Sequence, residues 1–279
     1  MEASGMRKSS LLAAVFLLIC AVTAQANTII DLTMAGNSSA QTAALGGIFT
    51  VMQVDPQPTG TGFIDSFLRV QAKGSEQGYN TDNGTPLDDK AGNFTRALLL
   101  SDIPIIEVGG ILYRQFLLDI NENEDNLLSL NQIQLFQTNT DPTAFSLTGA
   151  TSTNPPQMDS FTPGATEVFR MNNSSNSTNP FEIQLNASLN SGSGSGDMFL
   201  YVPDADFNRS LSNVVLYSQF GKPPGDSESD AGFEEWAVLT GQAVPEPGSL
   251  ILLGTGLLFL GLTKLKSDQK LRNSFKAGS

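Results

Sequence analysis

The sequence predicts an all-β fold: a single antiparallel β-sandwich, followed by a linker and one C-terminal transmembrane helix. Three observations carry the sandwich. Roughly ten short apolar stretches are rich in β-branched and aromatic residues. Clusters of Gly, Pro, Asn and Asp separate them at frequent intervals. Almost no stretch from Asn27 to Thr240 repeats its apolar residues at helical spacing.

From Asn27 onward the stretches follow in order. Gly47 to Val54 and Gly62 to Gln71 read as strands around the turn Asp55-Pro56-Gln57-Pro58-Thr59-Gly60. Gly74 to Asp89 reads as a polar loop, with Tyr79 its exposed aromatic. Asn93 to Leu100 and Ile103 to Ile106 are strand-like, Pro104 fitting an edge. Gly109-Gly110 is a turn. Ile111 to Ile120 and Leu127 to Gln137 give the strongest signal and read as a hairpin over the polar loop Asn121 to Asn126. In the second strand Leu128, Leu130, Gln132, Gln134 and Phe136 alternate against Leu127, Ser129, Asn131, Ile133 and Leu135. Thr138 to Gly164 reads as a Pro-containing loop, where the body divides if it is two domains. Thr166 to Met171, Phe181 to Leu189, Met198 to Val202, Leu211 to Phe220 and Phe233 to Leu239 complete the strands. Trp236 in the last is expected in the core beside Phe233.

The chain has 279 residues. Arg7 and Lys8, the apolar run Leu11 to Val22 and the small-x-small site Ala24-Gln25-Ala26 read as a secretory signal peptide, residues 1–26, cut after Ala26. An uncleaved anchor and a lipoprotein at Cys20 are the alternatives, the latter poorly served by Ile19. The exported β-sandwich is placed at 27–240, a linker at 241–249, the transmembrane helix at 250–263 and a basic cytoplasmic tail at 264–279. Cys20 is the only cysteine and there is no histidine, so the body needs a packed core in place of disulfides. Of 28 acidic residues only Glu2 and Asp268 lie outside Asn27 to Pro247, a span that holds eight basic ones. So acidic a surface repels nucleic acid and attracts divalent cations.

The same composition limits the chemistry. Without histidine there is no Ser-His-Asp triad and no ordinary metal hydrolase site. No glycine pattern suits a nucleotide phosphate. A glycosidase would need two carboxylates about 5–9 Å apart across a cleft, which a sequence does not place. The best candidate site is Asp119, Asn121, Asn123 and Asp125, whose alternate positions give oxygen ligands in an EF-hand-like register. Position 6 is Glu124 and position 12 is Leu130, so this is not an EF-hand. The stretch is either a solvated acidic turn or a Ca²⁺ site of another kind, and Ca²⁺ is the one cofactor the pattern admits. Asp226, Glu228 and Asp230 pose the same choice.

The tail opens with Val244-Pro245-Glu246-Pro247, continues in an apolar run from Leu250 to Leu262, and closes with Lys264, Lys266, Lys270, Arg272 and Lys276. Two prolines keep the spacer extended, and the basic end favours the cytoplasmic side. From Gly248 to Thr263 a helix would span only roughly 24 Å, short of a hydrocarbon core of about 30 Å. This ending resembles the PEP-CTERM sorting signal of Gram-negative bacteria. The resemblance implies an exosortase as processing partner and transient anchoring in the inner membrane before delivery to the cell surface or extracellular matrix. Glu76-Gln77-Gly78-Tyr79-Asn80-Thr81, Leu118-Asp119-Ile120-Asn121-Glu122 and Gly232-Phe233-Glu234-Glu235-Trp236 are similar to stretches in other proteins with this tail. The expectation is an exported, non-catalytic surface or matrix protein associated with exopolysaccharide or biofilm, adhesive and Ca²⁺-binding, with no nucleic acid partner. The alternatives are an exported polysaccharide-acting enzyme and a permanently anchored periplasmic binding domain.

Overall fold

The computed structural model describes residues 28–54, 64–122, 126–140, 146–151, 157–162, 164–172, 180–190, 195–221 and 227–240. The signal segment, the sorting tail and the expected transmembrane helix lie outside them. The strands are β1 (Thr28–Asp31), β2 (Ser38–Thr42), β3 (Ile48–Gln53), β4 (Ile64–Val70), β5 (Lys73–Gly74), β6 (Glu76–Tyr79), β7 (Leu98–Leu99), β8 (Ile105–Val108), β9 (Ile111–Asn121), β10 (Leu127–Thr138), β11 (Ser146–Thr151), β12 (Gln157–Thr162), β13 (Thr166–Arg170), β14 (Phe181–Asn186), β15 (Met198–Pro203), β16 (Asn213–Phe220), β17 (Ser229–Asp230) and β18 (Phe233–Leu239). No α-helix occurs among the described residues.

Two seven-stranded sheets form the body. The first runs β1-β14-β10-β16-β6, with β13 beside β10 and β7 beside β16. The second runs β2-β3-β15-β9-β18-β4, with β8 beside β9. Their inner faces share one apolar core that includes Leu128, Ile133, Phe169, Ile183 and Leu216 from the first sheet and Phe49, Val51, Phe116, Leu200 and Trp236 from the second. Phe49 meets Phe169 edge to face across the interface, centroids 5.5 Å apart. The Trp236 indole N–H donates to Ser218 Oγ at 3.0 Å, so the largest side chain of one sheet is satisfied by the other. Each fully buried large apolar side chain contributes about 1.5–3 kcal/mol. This core is what holds together a body that carries no disulfide.

Three expectations need correction. First, one pair is parallel: β1 runs beside β14 with Thr28 opposite Phe181 and Asp31 opposite Gln184. These strands are remote in sequence, so no tight turn dictates their relative direction. Second, β9 and β10 are not a hairpin. β9 is bonded to β8, β15 and β18, and β10 to β13, β14 and β16. The chain crosses from one sheet to the other between them, and each becomes a central strand buried along most of its length. A hairpin and a crossover give the same strand-loop-strand pattern in sequence; occupation of both edges of each strand separates them. Third, the alternation of β10 breaks. Leu128 and Leu130 face the core, then Ile133 and Leu135, because the ladder with β16 slips between Leu130 and Gln132. A bulge adds one residue and reverses the parity of those that follow.

Smaller differences follow the same logic. Glu76–Tyr79 is a strand within the expected polar loop. The expected loop at 138–164 contains the two-stranded sheet β11-β12. Of Asn93 to Leu100 only Leu98–Leu99 is a strand, leading into a 3₁₀ turn at Leu100–Asp102.

Candidate functional site

The second and third stretches singled out in the sequence meet at one pole of the sandwich, where β9 ends and β18 begins, and the first starts on that side at Glu76 and runs toward the other end. Within the first, Gly78 has no room for a side chain: a Cβ there would stand 1.9 Å from Asp89 Oδ1 and 2.3 Å from Val70 Cγ1. The missing Cβ admits Asp89, whose Oδ1 accepts the Tyr79 N–H at 3.0 Å. Asn80 then continues the ladder with its side chain. Its Oδ1 accepts from Leu216 N at 2.6 Å and its Nδ2 donates to Val214 O at 3.0 Å, bridging the gap between β6 and β7 along β16. Tyr79 is buried, against the expectation of an exposed ring, and packs outside the first sheet with Phe136, Val215 and Tyr217.

The third stretch is divided by the pleat. Gly232 passes so close to β9 that a Cβ would fall 1.5 Å from Asn121 O. Phe233 turns outward, its ring 4.4 Å from the Arg69 guanidinium, which also lies 3.4 Å from the Phe94 ring. It is therefore not the core neighbour of Trp236. Glu235 binds Arg69, whose Nε donates to Oε2 at 2.6 Å, and accepts from Ser66 Oγ. Glu234 shares the parity of Trp236 and Val238, faces inward and is fully buried, with no hydrogen-bond partner for either carboxylate oxygen.

In the second stretch Asp119 is 2% exposed and Asn121 half-buried, and the Asn121 Nδ2 lies 3.5 Å from Asp119 Oδ1. Asn123 and Asp125 lie outside the described residues. Of the four sequence-derived ligands, the structure therefore places two, side by side. It adds Asp197, which sequence reasoning missed because 77 residues separate it from Ile120. Asp197 Oδ2 accepts from Ile120 N at 2.8 Å, while Oδ1 has no partner. Burial pushes its carboxyl up to about 8, and Asp119 pushes it the same way. Of the other acidic triplet, Asp226 lies outside the described residues. Among the described residues, no three Asp, Glu, His or Cys side chains are grouped closely enough to hold a metal ion as they stand.

Glu122 lies just beyond β9 and accepts from Asp230 N at 2.9 Å through Oε2. Glu76 is fully buried and accepts from Ala72 N at 2.7 Å through Oε2. Oε1 of each has no partner. Burial raises both to about 8, with Asp230 and Glu76 adding to the effect at Glu122, and Asp88 at Glu76.

At the other end, near the start of β4, an open groove of about 510 Å³ is lined by Asp65, Thr81, Asp82, Asn93, Thr95 and Arg96 among others. Its two carboxylates are occupied. Asp65 pairs with Arg96 at 2.6 Å, and Asp82 Oδ1 accepts from Ala97 N at 2.8 Å. β18 ends at this same pole, with Leu239 opposite Ile64, so the chain leaves the body here, away from the acidic pole.

Beyond that exit, the PEP-CTERM protein-sorting motif matches residues 243–264. The chain carries a PEP-CTERM sorting signal. The match contains Val244, Pro245, Glu246 and Pro247, the apolar run and the first lysine of the tail. A PEP-CTERM signal implies export, membrane-associated processing and an exosortase as the processing partner. No curated protein and no solved structure matches the chain.

Proposed function

We propose that this is a non-catalytic surface or matrix protein, exported through its signal peptide, held by its C-terminal segment, cut near Pro245-Glu246-Pro247 and released to the exopolysaccharide. The observation that carries the reading is the PEP-CTERM match, at the end of a chain that opens with Arg7, Lys8, an apolar run and Ala24-Gln25-Ala26. Topology is consistent with it. β18 ends at the pole opposite Glu122, so the described residues lead toward the tail at that end. The non-catalytic reading is supported by the groove at Asp65 and Asp82, whose carboxylates are already committed to Arg96 and to the Ala97 amide. Ca²⁺ at Asp119 and Asn121, with Asn123 and Asp125, remains part of the proposal, and the adjoining Asp197 strengthens it.

Fractionation of the native host tests the reading. In cells with an active exosortase the protein is expected in the matrix fraction. In cells lacking one it is expected to accumulate in the inner membrane. Equal distribution in the two strains would overturn the proposal.

A further inference from the structure

The pole from which the chain leaves carries an apolar feature that the core does not use. β8 and β9 join through Gly109-Gly110, both at positive φ, in a hairpin whose last pairs are Glu107 with Leu112 and Val108 with Ile111. Ile105, Val108, Ile111 and Leu112 are 41–53% exposed, four of the eleven exposed large apolar side chains among the described residues. The others are scattered, as on an ordinary surface. Glu107 is the one charge between Ile105 and Leu112. Both faces of the hairpin take part. Val108 and Ile111 share the parity of Leu117, which packs outside the core with Val54 and Ala237. Leu112 shares the parity of Phe116 and Leu118, which lie in the core. It is half-exposed all the same, because the hairpin runs on past the end of the core.

The registers along β9 put this tip beside the exit of the tail. Tyr113 to Leu118 pair with β15 on one edge of β9. β18 and β8 therefore share the other edge, β18 ending its pairing at Leu117 and β8 taking over at Arg114. Both are antiparallel to β9, so β18 points along β8 toward the tip. From Leu117 to Ile111 is about 20 Å of strand. From Ala237, opposite Leu117, the chain reaches Leu250 within at most about 47 Å even when fully extended. A bilayer holding the apolar run Leu250 to Leu262 therefore stands within reach of the tip.

We propose that the β8–β9 hairpin seats its tip in the surface of the bilayer that holds the tail, Val108, Ile111 and Leu112 entering among the lipids. This rests on the reading that the apolar run is held by the membrane before the cut. Lipid suits a tip that is apolar on both faces, since a fluid closes around it, whereas a flat protein surface covers one side. The depth is limited. β8 has no strand on its outer edge among the described residues, and unpaired backbone groups do not enter hydrocarbon. The Glu107 carboxylate also stays at water. So shallow a contact is weak alone and gains its occupancy from the tether, whose short reach keeps the tip at high effective concentration near the surface. Cutting the tail removes that gain, and the body leaves.

Fluorescence of the full chain reconstituted in phosphatidylcholine vesicles, part of the lipid carrying a nitroxide near its headgroup, tests the proposal. In a C20S background an environment-sensitive dye is attached to one cysteine at a time: V108C at the tip, T255C in the apolar run, and L127C, an exposed apolar position at the opposite pole. V108C and T255C are expected to lose most of their emission to the nitroxide lipid, and L127C to keep its own. If T255C is quenched and V108C is not, the hairpin proposal falls while the anchoring reading stands. If neither is quenched, the anchoring reading fails and takes the proposal with it. A V108C emission that shifts to the blue without quenching would mean a protein partner, a second copy included, and would overturn it. Equal quenching at L127C would overturn it as well, since the whole body would then lie on the lipid.

Discussion

Arg114 is a charged residue in the interior, 4% exposed, on the inner face of β9. Its Nε donates to Asp204 Oδ1 at 2.7 Å, and one terminal nitrogen donates to Leu100 O at 2.7 Å and Ile103 O at 2.8 Å. Arg209 closes the other side of Asp204. Removing Arg114 leaves a buried carboxylate and two carbonyls to find new partners, which costs about 3–5 kcal/mol. Arg114→Met is therefore expected to lower stability by that order in denaturant unfolding, whereas Arg209→Ala, at a partly exposed position, is expected to cost much less. Asp89 supplies a pH dependence. Burial raises its carboxyl to about 8, so the folded state holds a proton that the unfolded chain releases near pH 4. Its contribution is fully present below about pH 4 and is lost as pH rises through about 8. Asp89→Asn keeps the neutral form and can still accept from Tyr79 N. The variant is expected to show a smaller fall in Tm between about pH 4 and pH 9 than the wild type; an unchanged slope would count against the buried, proton-bearing Asp89 described above.

At the scale of elements, close backbone approaches decide what the pole tolerates. Gly232 passes β9 with no space for a methyl group, and overpacking of this kind costs about 3 kcal/mol. Gly232→Ala is expected to lower the Tm substantially. Gly84→Ala is expected to cost little by crowding, since nothing lies within 4 Å of the added atom, although its positive φ adds some strain. The legibility of the sequence divides along the same line. β3, β4, β9, β15, β16 and β18 were readable because each is a run rich in apolar, β-branched and aromatic residues bounded by turn residues. β6 was not, because Glu76, Gln77 and Gly78 look like loop residues and are strand only through pairing with Phe220, Gln219 and Ser218. The reversal of parity in β10 left no trace in its composition. For the candidate site, Asp119 was marked by its spacing alone, while Asp197 comes beside it only through the long-range contact with Ile120.

For the whole molecule, the parts have separate jobs. Two sheets sharing one core make a body that needs neither disulfide nor helix among its described residues. The acidic pole lies at one end, and the last strand releases the sorting segment at the other. The central claim is that this segment is a processing signal, not a permanent anchor. Intact-mass measurement of the protein from its native host, beside a Pro245→Ala/Pro247→Ala variant, tests it most directly. The wild type is expected to lack the residues beyond the cut, with the variant retaining them in the inner membrane. A wild-type protein that keeps residues 250–279 would contradict the account and leave a membrane-tethered β domain.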